Sequence, residues 1–124
     1  MSEEHNSSQK RKPNLDILAE YEELLEDYNE ILKISTKVLD EITKRFNEDT
    51  LMPLLEEKLK IADRISKASK QISQIELSGD SPVQVEIARQ GKSIIAQIKN
   101  RAELLLKSEN RIEEALRAKG LKIK

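Results

Sequence analysis

The most reactive groups in this 124-residue chain are carboxylates, and they gather early, at Asp16, Glu20, Glu22, Glu23, Glu26, Asp27 and Glu30. Glu22 with Glu26, and Glu23 with Asp27, stand four residues apart, so a helix would set each pair on one strip of its surface. Inward-facing carboxylates could build a di-metal centre in a helical bundle, but only with Glu-x-x-His pairs beside them. No helix here can supply the histidine. The single one, His5, sits in a polar, aperiodic N-terminal stretch. A general base must be held against its substrate by a rigid surround, so His5 is not a candidate. Like charges four apart repel, which makes the acidic row a solvated face. Its sharper alternative is a docking strip, for a basic partner or for Arg89, Lys92 and Lys99 of the same chain.

Other chemistries lack their residues. The chain has no cysteine, which excludes disulfides, thiolate metal sites and thiol nucleophiles. No glycine-rich phosphate loop is present, and nothing pairs a nucleophile with a base. The basic residues after Ser81 could meet nucleic acid, but they have no aromatic interleaving and share the chain with an equally strong acidic segment. The reading is therefore a non-enzyme without catalytic residues, cofactor, metal, small-molecule substrate or nucleic-acid partner.

Composition says what kind of element must carry these side chains. Hydrophobic residues make up 37% and charged residues 36%, with 3 Gly, 3 Pro and 2% aromatic. Such a chain cannot fill a wide core, but it suits long helices packed along narrow seams of Leu, Ile and Ala. The spacing predicts three helices, over residues 14–47, 50–78 and 82–119, behind a disordered polar tail at 1–13. Asn14 is the first cap. Heptad rows then follow: Leu18, Leu25, Leu32, Leu39, Phe46; Tyr21, Tyr28, Ser35, Ile42; and Ile17, Leu24, Ile31, Val38. Three adjacent rows are wider than a coiled-coil seam and match a bundle helix, with both tyrosines in the core. Asn47 is expected as a left-handed C-cap, Asp49 or Thr50 as the second N-cap, and Pro53 in the first turn.

The second helix carries Leu51, Leu54, Ile61, Ile65, Ile72 and Ile75 inward. Serines near its stripe at 66, 69 and 73 thin its second half. Ser78-Gly79-Asp80-Ser81-Pro82 is the clearest break: Gly79 as a left-handed cap, Ser81 as N-cap, Pro82 at the first position and Gln84 completing a capping box. Gly91 falls on the third helix's inward row with Ile98, Leu105 and Ile112. That makes it a close-approach point rather than a break. Gly120 ends the helix.

Charge is distributed unevenly although its sum is only −1. Residues 15–50 hold 11 acids and 4 bases, whereas residues 81–124 hold 5 acids and 10 bases, as expected if the first and last helices pack side by side. No run approaches the ~20 apolar residues of a membrane span, and residues 1–13 lack the apolar stretch of a secretory signal. Cytoplasmic residence without membrane insertion is the default expectation.

The predicted helices have unequal lengths. An up-down-up bundle would then leave the third one overhanging from about Ser108, with Ile112, Ala115, Leu116, Leu121 and Ile123 uncovered. Together with Leu105 they have the i, i+3, i+4, i+7 spacing of helix-in-groove anchors, and they are the expected partner-binding residues. Residues 34–67 carry a further signal: a heptad helix, the turn Phe46-Asn47-Glu48-Asp49, then Leu51-x-x-Leu54-Leu55-Glu56-Glu57-Lys58 leading to Ile61 and Ile65. This stretch, about a quarter of the chain, resembles flagellar and type III export chaperones of the FlgN/FliT kind. The resemblance implies a cytoplasmic helical bundle that keeps a flagellar or secreted client soluble through an apolar face near its C-terminal helix. Two other classes fit the same pattern. One is a scaffolding coiled-coil protein that homodimerises through that face, and the other is a small nucleic-acid-associated bundle.

Overall fold

The computed structural model describes residues 14–44, 46–72, 77 and 79–120. Among them are three helices and no strand: α1 (Leu15–Lys44), α2 (Glu48–Ile72) and α3 (Pro82–Ala118). The predicted tail at 1–13, together with Ser73, Ile75, Leu121 and Ile123, lies outside the described residues.

α1 starts where expected, with the Asn14 Oδ1 accepting from the Ile17 N–H at 3.1 Å. It stops earlier than the sequence implied. Phe46, not Asn47, takes the positive φ of 47°, and its N–H donates to the Glu41 carbonyl. Asn47 is released to cap α2 instead, its Oδ1 accepting from the Asp49 N–H at 2.9 Å. With Glu48 and Asp49 in the first turn, the helix N-terminus gains favourable charge. Pro53 consequently falls in the second turn and not the first. The carbonyl it leaves unbonded there belongs to the exposed Asp49, where water can replace the lost donor.

α3 opens as the sequence implied. The Ser81 Oγ accepts from the Gln84 N–H at 3.1 Å, and Pro82 occupies the first position. The Gln84 side chain reaches back past Ser81 and accepts from the Asp80 N–H at 3.2 Å, so the expected box closes one residue earlier than its usual form. Gly79 has no left-handed φ. It is required because a Cβ there would overlap the Gln84 side chain. Gly120 does take φ +80°, and its N–H closes the helix end on the Arg117 carbonyl at 2.9 Å.

The helices form an up-down-up bundle in which α1 packs against both others. α1 is consequently the most buried element. Ile17, Tyr21, Leu24, Ile31, Ile34, Val38 and Ile42 all face inward, joined by Leu51, Ile61, Ile65 and Ile72 of α2. α1 and α3 run parallel. The Arg101 Nε donates to the Asn29 Oδ1 at 2.9 Å, an offset of 72 residues, and Gly91 abuts Tyr21. α3 is continuous through Gly91, whose missing side chain admits Leu77: a Cβ would lie 3.2 Å from the Leu77 Cδ2. The seam reading of this glycine is correct.

Among the described residues the overhang is not there. The 72-residue offset sets Ile112 level with Asp40–Ile42, and Ile112 is 5% exposed within the same buried cluster as Ile42 and Leu51. Ala115 and Leu116 pack against that cluster. Two lengths explain the correction. The parallel α1 starts at the same end as α3, and the turn after Lys44 together with the first turn of α2 adds the extra height that α3 needs. Comparing helix lengths alone left the connecting turn out.

The charge pattern also pairs differently from expectation. Arg64 of α2 bridges Asp27 and Glu30, with its Nη2 at 3.1 Å and 2.9 Å from their oxygens. Arg89, a proposed mate for the acidic row, is bound within its own helix to Glu86. Glu22, Glu23 and Glu26 stay exposed.

Candidate docking groove between the second and third helices

Small side chains on two facing rows create the main surface feature. Along α2, Leu55, Leu59, Ala62, Ser66 and Ser69 follow one another at spacings of four and three, so they share one flank. Along α3, Ile95, Lys99, Ala102, Leu106 and Glu109 do the same. An ion pair between Lys58 and Glu109 shows that these flanks face each other. The two alanines and two serines are too short to fill the space between the rods. Among the described residues, no Cα of α2 lies within 8 Å of a Cα of α3. Packed helices come closer than that.

The result is an open apolar groove of about 510 Å³. Tyr21 and Leu24 of α1 form its floor. Ser69 and Ile72 stand on one side, Ile95, Ile98 and Lys99 on the other, and Leu77 closes the upper end. Further down, Leu59 (70% exposed) and Leu106 (63%) continue the flanks toward the Lys58–Glu109 pair. The groove itself runs from Ile95 to Lys99 along α3, roughly 6 Å at the helical rise.

The absence of burial in α3 is concentrated here. Ile87, Ala88 and Gly91 are buried at one end and Ile112 at the other. Between Gly91 and Ile112 no residue is buried, although the stretch carries Ile94, Ile95, Ile98, Ala102, Leu104, Leu105 and Leu106. Leu105 is the one residue expected from sequence to bind a partner that falls in this stretch, and it is half-buried. Ile112 belongs to the core, while Ala115 and Leu116 support it. The sequence reading missed Leu59, Ile98 and Leu106. Their signal was present, as apolar residues next to alanine and serine on flanks that have to face each other.

Electrostatics at the upper end are simple. Lys99 lines the groove, and Lys92 lines an adjoining cleft with Leu77, Gly79, Val85, Ala88 and Arg89. Hydrogen bonds from Arg89 and Gln90 hold the Glu86 carboxyl down to about 2, so the Arg89 charge is already matched. Burial, with the Glu20 charge second, pushes the Tyr21 hydroxyl above its ordinary value. No cluster of three metal-ligating side chains exists among the described residues, and no helix there is long and apolar enough to cross a membrane. Comparison with family models, curated proteins and solved structures yielded no match, so the site is read from this chain alone.

Proposed function

We propose that this chain is a cytoplasmic protein-binding bundle which holds an amphipathic helix of another protein in the groove between α2 and α3. The observation that carries this reading is the middle of α3, where Ile95 and Ile98 are only half-buried and line an open trough beside a flank of α2 that stays apart. An apolar trough walled by helices takes up a further helix through anchors at helical spacing. It completes a four-helix arrangement that the chain leaves unfinished. The resemblance of residues 34–67 to flagellar and type III export chaperones supplies the client class, a flagellar or secreted protein kept soluble before export. The anchor shifts from the end of α3, where Ile112 is core, to its centre.

The test uses the full chain and an Ile98→Asp variant. A charge on the groove wall blocks an apolar occupant but sits on a half-buried position, so circular dichroism should remain helical. The expected result is a one-to-one complex, reconstituted from two purified proteins, that forms with the parent chain and is lost with Ile98→Asp. Unchanged binding by Ile98→Asp would overturn the reading. So would light scattering in which the chain alone doubles its mass through this face.

A further inference from the structure

The groove is short for a helix. Along α3 it runs from Ile95 to Lys99, roughly one turn, whereas anchors at i and i+7 of an occupant lie about 10 Å apart. A second cleft, of about 380 Å³, lies directly beyond it, lined by Leu77, Gly79, Val85, Ala88, Arg89 and Lys92. Ala88, Lys92, Ile95 and Lys99 follow one another at spacings of four, three and four, so the two clefts share one flank of α3. Leu77 is common to both linings. It stands between the end of α2 at Ile72 and the Ser81 cap of α3, half-buried. Its two δ-methyls lie over Gly91, where a Cβ would meet them at 3.2 Å and 3.4 Å and the Tyr21 ring at 3.4 Å. The Gly91 backbone and the Tyr21 ring thus form a notch that a leucine fills.

We propose that this notch is the anchor subsite of the docking groove, taking a leucine of the client helix, and that Leu77 holds its place in the free chain. The subsite belongs to the groove of the docking reading and depends on it. Three features carry it. The notch accepts a leucine, since one is seated there. It needs a glycine in the interior of a long helix, where glycine is less favourable than alanine. Its resident divides the trough: with Leu77 withdrawn, the two linings become one run from Val85 to Lys99, roughly 20 Å or four turns of helix. A client leucine replaces Leu77 contact for contact. The free chain therefore competes with its client, and binding is weakened according to the share of molecules in which Leu77 is seated.

Two synthetic amphipathic peptides of about four turns serve as probes, alike except for Leu or Ala at the centre of the apolar stripe. Both are titrated by fluorescence anisotropy against the full parent chain, Leu77→Ala, and Leu77→Ala combined with Gly91→Ala. The Leu peptide should bind Leu77→Ala about tenfold tighter than it binds the parent, and about tenfold tighter than the Ala peptide binds the same variant. Adding Gly91→Ala fills the notch and should erase that preference. With Leu77 cut back, the new Cβ meets the Tyr21 ring at an ordinary contact distance, so circular dichroism should stay helical throughout. Unchanged or weaker binding of the Leu peptide by Leu77→Ala, with binding still lost in Ile98→Asp, would overturn the anchor and leave the groove standing. Equal binding of the two peptides by Leu77→Ala, or a Leu preference that survives Gly91→Ala, would do the same. A collapse of helicity in Leu77→Ala would make Leu77 core alone, and a doubling of that variant's mass in light scattering would give the notch to a second copy; either overturns the proposal. Absence of binding to parent and variants alike, or binding indifferent to Ile98→Asp, would overturn both readings.

Discussion

Thirty residues of α1 include nine that are buried, whereas the thirty-seven of α3 include four, Ile87, Ala88, Gly91 and Ile112. The two helices have similar apolar rows in sequence, so propensity and pattern do not separate them. Position does. α1 touches a neighbour on two sides, and its rows through Ile17 and Tyr21 are covered along most of their length. α3 is covered on the α1 side only, and its flank toward α2 looks across a gap. A heptad row therefore reports that a helix has an apolar face, but not how much of that face its own chain will cover.

The sharpest way to break this comparison is at the end of α3. Ile112→Asp places a charge in the common apolar cluster, and should cost at least about 4 kcal/mol in urea unfolding. A loss below about 1 kcal/mol would return Ile112 to the surface and restore the overhang. Next come alanine truncations at matched chemistry. Ile31→Ala should cost about 3 kcal/mol, and Ile98→Ala about 1 kcal/mol, because the first empties a closed core and the second only widens an open trough. Equal losses would mean that α3 is as well packed as α1.

A smaller effect of opposite sign is expected at Ser35. It is fully buried on α1, and its Oγ has no hydrogen-bond partner among the described residues. Ser35→Ala removes that unmet hydroxyl and should raise stability by about 1 kcal/mol, read as a higher melting temperature. The smallest effect concerns alkaline pH. Burial raises the Tyr21 hydroxyl above its ordinary value of 10.0, so the folded chain keeps a proton that the unfolded chain releases. The stability tied to that proton is complete below pH ~10 and falls as pH rises beyond it. Melting curves from pH 8 to 11.5 should show Tyr21→Phe losing less stability than the parent. Parallel losses would mean that the hydroxyl meets solvent in the folded chain.

Much of the fold was legible along the chain. Asn14 and the Ser81-Pro82-Gln84 cap start α1 and α3 as read, because capping is a contact within four residues and its partners are written side by side. Gly91 was legible for a related reason, since a glycine on an apolar row signals close approach. Asn47 shows where this reasoning stops. Asparagine suits a helix end and a helix start equally, and the choice fell to Phe46, which adopts a positive φ while packing against the core. The site was less legible. Leu105 was read as a binding residue and Ile98 was not, yet only the distance between α2 and α3 tells them apart from Ile112.

The sequence by itself determined that three amphipathic helices form and where α1 and α3 begin. These follow from periodicity and capping, both of which act over one or two turns. Tertiary structure alone decided which parts of the apolar rows are covered. That depends on the offset between α1 and α3, on the height added by the turn after Lys44, and on short side chains at Ala62, Ser66, Ser69 and Ala102 meeting across a gap. Residues far apart in the chain set those distances jointly, so no local pattern records them.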